Sequence, residues 1–173
     1  MEQAAKCEER LAQNRLEFVE NNKARLLFFW STNMNIDGSI IVGLNVVALY
    51  AGLLGLILLL LSYKVVKSRQ KFEVGIGDGD QEELNRAIRV QGNFIEYVPL
   101  ALILLVMSQV TLGYVLLTHI AGATLVISRV MHAQGLGKTI DVSTGRFVGI
   151  ILTWLVLLVL SVANVYAFVI GSI

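Results

Sequence analysis

The chain has 173 residues, of which 55% are hydrophobic and 16% charged, and its mean hydropathy is +0.69. Soluble domains carry charge at about a quarter of their positions, so this composition excludes an ordinary soluble domain and describes an integral membrane protein. A formal charge of +1 leaves no basic surface for nucleic acid, and the single cysteine, Cys7, excludes an internal disulfide and a cysteine-based metal cluster.

Met1 to Asn35 is the one soluble-looking stretch, and with the turn that follows it makes an N-terminal segment, residues 1–38. Lys6, Arg10, Arg15, Lys23 and Arg25 alternate there with Glu2, Glu8, Glu9, Glu17 and Glu20. Leu11, Phe18, Leu26 and Phe29 fall near one side of a helical wheel, which predicts an amphipathic surface helix. Leu26 to Trp30 is too short to span a bilayer but suits its interface, with Trp30 among the headgroups. Asp37-Gly38-Ser39 reads as a turn and helix cap.

Residues 39–173 read as an all-α integral membrane protein, a four-helix transmembrane bundle running up-down-up-down. Ile40 to Val66 has the roughly 20 apolar residues that a crossing needs. Gly43, Gly52 and Gly55 are expected at close helix contacts, and Asn45 as an interhelical hydrogen-bonder. Lys64, Lys67, Arg69 and Lys71 end this helix in a basic collar, with Lys64 and Lys67 reaching for the interface. Phe72 to Gln81 holds glycines and aspartates but no Gly-Lys-Ser/Thr and no calcium-loop spacing, and reads as a solvated connector. The second helix covers residues 82–107, and Pro99 is expected to kink it. Ser108 to Gly113 reads as a short turn, and residues 114–132 as the third helix. His119 in mid-span is expected to be a satisfied helix–helix hydrogen-bonder. Ala133 to Gly145 reads as a polar loop, and residues 146–170 as the fourth helix.

Basic residues set the expected orientation. Lys64, Lys67, Arg69, Lys71, Arg86 and Arg89 surround the first connector; Arg129, Lys138 and Arg146 surround the third. The second connector and the C-terminus carry none. Both polar connectors therefore face the cytoplasm, although the basic residues of Met1 to Asn35 pull the other way.

Asn85 to Leu100, NRAIRVQGNFIEYVPL, concentrates the unusual polarity. At about 100° per residue, Arg86, Arg89, Asn93, Glu96 and Tyr97 share one sector of a helix roughly 100° wide. A bilayer tolerates such groups only where they face protein, water or a ligand. In an alternating bundle Arg69, Arg129, His132 and Arg146 lie at the same end. Together they predict a cationic pocket on the cytoplasmic side containing one carboxylate. The matching ligand is small, anionic overall and carries an amine for Glu96; arginine forks suit its carboxylates. A self-satisfied ion-pair network with snorkelling arginines is the structural alternative, and Arg129 is assigned to it.

Arg89-Val90-Gln91-Gly92-Asn93-Phe94-Ile95-Glu96-Tyr97-Val98-Pro99-Leu100 resembles the second-helix motif of the MAPEG family, the membrane-associated proteins of eicosanoid and glutathione metabolism. The family pattern, Arg-x-(Gln/His)-x-Asn-x-x-Glu-Tyr-x-Pro-Leu, is met at every defined position. Val74-Gly75-Ile76-Gly77-Asp78-Gly79 resembles the connector of bacterial members, which implies a bacterial inner-membrane location. The likeness covers about Ile40 to Ile170. It implies a homotrimer with glutathione, as substrate, held between adjacent subunits, and requires no metal. By motif position Arg89, Asn93, Glu96 and Tyr97 would hold glutathione, with Gln91 and Arg69 contributed by the neighbouring subunit. His132, in SRVMHAQG, matches a position held by His or Tyr in synthase-type members. Arg146 resembles the arginine that supports the glutathione thiolate and is the expected catalytic residue. Leu136 departs from the family, standing where eicosanoid synthases have a tyrosine near the sulfur.

The implied function is a membrane-bound glutathione transferase for detoxification, with peroxidase activity a variant of the same chemistry. A thiol with an ordinary pKa near 8.5 is mostly protonated at pH 7, and the thiolate is the nucleophile. A site at the bilayer boundary admits glutathione from water and a lipophilic electrophile or lipid from the membrane. A non-catalytic lipid- or glutathione-binding protein of the same fold is the alternative.

Overall fold

In the computed structural model of the chain, the residues described are 38–138 and 143–171, together with Gln13, Glu17, Val19, Glu20, Asn22 and Lys23, which are helical. The expected amphipathic face of Leu11, Phe18, Leu26 and Phe29, the interfacial Trp30 and the turn at Asp37 lie outside them. Residues 1–37 and 38–173 form two separate compact units.

The second unit is four helices: α1 (Gly38–Phe72), α2 (Glu82–Leu112), α3 (Val115–Lys138) and α4 (Thr144–Gly171). Each is long and apolar enough to cross a membrane. Their apolarity serves the exterior more than the core. The two most apolar spans, α1 and α4, bury only 22% of their window, against 39% for α3. Leu56, Leu59, Leu116, Leu158 and Phe168 are all more than 60% exposed, the outward surface that hydrocarbon would cover.

A narrow seam holds the helices together. Val47, Leu54 and Leu61 recur every seventh residue on α1, and Val90, Phe94, Val98, Ala101 and Leu105 recur at three and four on α2; all are buried in one cluster with Leu125 and Leu160. Spacings of three, four and seven keep knobs on one helix facing holes on the next. Gly43 near the start of α1 lies against the Gln109 side chain near the end of α2. At the other end Gln91 Nε2 donates to Ser62 Oγ at 2.8 Å, so α1 and α2 pair with the start of each beside the end of the other.

Three helix boundaries differ from expectation. The first helix runs past Val66 to Phe72, closing on Arg69 and Lys71 in its last turn, where cations suit the negative end of the helix dipole. Ser108 to Leu112 is helix, not turn: Ser108 and Gln109 are buried, and Thr118 Oγ1 donates to Gln109 Oε1 at 2.6 Å. Polarity there marks an interhelical contact. The helix stops at Gly113, whose φ of 69° is left-handed and whose N–H reaches the Gln109 carbonyl, a C-terminal cap that glycine adopts without strain. Likewise residues 133–138, expected in a loop, extend α3, because Gly135 lets the helix run hard against the start of α4. A Cβ on Gly52 or Gly55 would meet no other part of the chain within 4 Å, unlike one on Gly43. Asn45 is exposed and makes no interhelical hydrogen bond among the described residues. His119 behaves as expected, its Nδ1 lying 3.1 Å from Tyr50 Oη. Pro99 sits inside a continuous α2.

Candidate functional site

The polar face of α2 divides into partnered and unpartnered groups. Arg86 pairs with Glu82 one turn earlier, and Asn85 donates to the Asp78 carboxylate. Asn93 Oδ1 accepts from Arg129 Nη1 at 2.9 Å. By contrast, the Arg89 guanidinium, the Glu96 carboxylate and the Arg146 guanidinium have no hydrogen-bond or ion-pair partner among the described residues. Arg89 and Glu96 are exposed, and Arg146 is half-buried in the first turn of α4. A carboxylate fourteen residues into the 31-residue α2 stands about 21 Å along it at 1.5 Å per residue, far from either end.

Arg86, Arg89 and Arg146 line one cavity of about 460 Å³ with Leu136 and the carboxylates of Asp78, Asp80 and Glu82; it is therefore of mixed charge, not cationic as expected, and Glu96 does not line it. Its mouth is the connector between α1 and α2. Outside the spans, the Asn85 side chain and then the Asp80 backbone N–H hold the Asp78 carboxyl below its ordinary value. Close packing of α3 on α4 brings Arg146 to this cavity. A Cβ on Gly149 would lie 2.7 Å from the His132 backbone N and 2.7 Å from the Ser128 carbonyl, and one on Gly145 3.2 Å from the Met131 carbonyl. Small residues of this kind let two backbones meet. Gly135 is the reciprocal contact, facing the Arg146 backbone.

Arg129, assigned to the structural reading of a self-satisfied network with snorkelling arginines, is structural, but it does not snorkel: it is only 1% exposed. It donates to Asn93, to Thr153 Oγ1 at 2.6 Å and to the Gly149 carbonyl at 3.4 Å, and lies 5.7 Å from the Tyr97 ring centroid. Ser128 Oγ is 3.0 Å from Thr153 Oγ1. Only Arg129 Nε lacks a partner among the buried side-chain atoms described. The arginine thus fixes Asn93 and underlies Tyr97, joining α2, α3 and α4. Its only sequence signal was a charge within an apolar run.

The remaining expected site residues sit elsewhere. His132 is buried, 5% exposed, beside the Gly149 contact. Gln91 is bonded to Ser62 of its own chain. Arg69 Nη1 donates to the carbonyls of Val74, Gly75 and Gly77 at 3.3, 3.2 and 3.0 Å, strapping down the connector.

A sequence model of the MAPEG family matches residues 47–166, which include parts of all four helices and every residue of the polar face. The chain belongs to the MAPEG family. It is also 36% identical to the inner membrane protein YecN of Escherichia coli K12 over 119 residues, covering 69% of this chain and 89% of that protein. YecN of Escherichia coli O6:H1 gives the same figures. Within this MAPEG chain the family match begins on α1 and leaves the N-terminal unit outside it.

Proposed function

We propose that this protein is a membrane-bound glutathione transferase of a bacterial inner membrane, its four helices running up-down-up-down with the cavity on the cytoplasmic side. The observation that carries this reading is the set of ionic groups left unpaired on and beside α2: Arg89, Glu96 and Arg146. An exposed carboxylate in the middle of a span is untenable against lipid. A second subunit covers it and an ionic ligand neutralises it, which is why a homotrimer with the ligand between subunits fits best.

Glutathione carries the complementary groups. Arg89 suits a carboxylate through its planar fork. Glu96 suits the ammonium, while Asn93 and Tyr97, held by Arg129, frame the peptide. Arg146 favours the thiolate over the thiol; each unit of pKa lowering contributes about 1.4 kcal/mol. The sulfur lone pair then forms a C–S bond at an electrophilic carbon as the leaving group departs with its bonding pair. With a lipid hydroperoxide the same sulfur attacks the terminal oxygen, the O–O bond breaks and the alkoxide leaves as the alcohol; the glutathione sulfenic acid so formed condenses with a second glutathione to give the disulfide and water. Gln91 and Arg69 already have partners in their own chain, so a role across the subunit boundary requires them to exchange those bonds.

Glutathione titration into the detergent-purified full chain, with turnover followed on a nitrohalobenzene acceptor, tests the proposal. Saturable binding that weakens in Arg89→Ala supports it; no binding in the wild type overturns it. Leu136, a buried leucine where synthases present tyrosine, favours a second reading in which the protein binds glutathione or lipid without chemistry. Binding without turnover would select that one.

A further inference from the structure

A second cavity, of about 310 Å³, opens between the end of α1, the start of α2 and the end of α3. None of the residues assigned above to glutathione lines it, although Arg86, paired with Glu82, lies between the two cavities and lines both. Lys64, Lys67 and Lys71 line it over an apolar floor that includes Leu61, Val90 and Ala133. Lys71 is paired with Glu83, but Lys64 and Lys67 have no ion-pair partner among the described residues. Like charges three and four residues apart on a helix repel, so this wall is built for an anion.

The face continues beyond the cavity. Leu53, Leu56 and Leu60 are 40%, 61% and 63% exposed, and with Lys64, Lys67 and Lys71 they follow one stripe of α1 at spacings of three and four. From Leu53 to Lys64 the stripe runs about 16 Å at 1.5 Å per residue, roughly half the 30 Å hydrocarbon core and thus one leaflet. Leucines at acyl-chain depth leading to unpaired lysines at headgroup depth match a single kind of occupant.

We propose that this stripe and cavity bind one acidic phospholipid, its phosphate among Lys64, Lys67 and Lys71 and an acyl chain along Leu53, Leu56 and Leu60. Basic pockets between membrane helices recognise anionic headgroups by this electrostatic match. Ser68 in the same wall adds a hydroxyl donor.

Native mass spectrometry of the full chain in mild detergent, titrated with phosphatidylglycerol or with phosphatidylcholine of the same acyl chains, tests this. The expected result is preferential retention of phosphatidylglycerol. A lysine near an anionic surface contributes roughly fivefold in affinity, so Lys64→Gln with Lys67→Gln should weaken retention about 25-fold. Lys64→Arg with Lys67→Arg should keep it, and glutathione titrations should be the same in both double variants, which separates this site from the first. Equal retention of the two lipids, an undiminished preference in the glutamine variant, or displacement by an equal concentration of inorganic phosphate would each overturn the proposal.

Discussion

Two sets of arginines stand on neighbouring turns of this bundle and meet opposite fates. Arg129 is enclosed, and its two terminal nitrogens are met by Asn93, Thr153 and the Gly149 carbonyl, leaving only Nε without a partner. Arg89 and Arg146 face a cavity with no partner of their own, and Glu96 stands outward without one. The difference teaches that polarity inside a membrane helix has two meanings. Where the chain itself supplies the acceptors, the arginine is architecture. Where it does not, something from outside has to, and those positions are the ones the proposed ligand would occupy.

Substitutions can break that contrast in order of expected size. Arg146→Ala should lower kcat for glutathione conjugation by about 10²-fold or more, the effect of removing one preorganised donor to a developing anion, while the glutathione Kd from calorimetry changes far less. Glu96→Gln should weaken glutathione by roughly 10- to 100-fold, the worth of a hydrogen bond to a charged group, and leave the unfolding midpoint where it was; a drop in that midpoint would move Glu96 to the architectural set. Gly149→Ala pushes a methyl group onto the His132 and Ser128 backbone and should cost about 1–3 kcal/mol in denaturant unfolding. Because Arg146 rides on the same contact, turnover should fall with it. Thr153→Val removes an acceptor from Arg129 without changing shape, costing about 1–3 kcal/mol of stability, and because Arg129 holds Asn93 and Tyr97, glutathione affinity should fall less than in Glu96→Gln.

The smallest effect is at the cavity mouth. Asn85 holds the folded Asp78 carboxyl below its ordinary value. A depressed carboxyl stabilises the fold above its unfolded pKa, and that contribution is lost as the pH drops through the folded value. Asn85→Ala should therefore raise the Asp78 pKa read by carboxyl NMR and reduce the part of acid unfolding that it controls.

The four spans were legible because length and apolarity alone specify them, and the α2 face was legible because its residues recur at helical spacing. The expected turn at Ser108 to Gly113 failed for a physical reason: in a membrane bundle serine and glutamine also serve as interhelical partners, and Gln109 meets Thr118. The same ambiguity hid the end of α3, where Gly135 reads as a loop signal but functions as a contact. Arg129 reads as structural from sequence, but its burial and partners do not, because its acceptors lie 20, 24 and 36 residues away in the chain. No local pattern encodes them. Gly43 packs as expected, whereas Gly52 and Gly55 face no other helix of their own chain, since glycine spacing says nothing about which face a helix turns inward.

The strap formed by Arg69 has a mechanical corollary. By gathering three carbonyls of the connector, it makes the rim of the cavity that Arg89 and Arg146 line an outgrowth of α1, although the ionic wall behind that rim belongs to α2 and α4. A tilt of α1 would drag Asp78 across the opening while Arg89 and Arg146 stayed put. Loss of affinity in an Arg69 variant would then register a slackened doorway before it registered any lost touch upon the peptide.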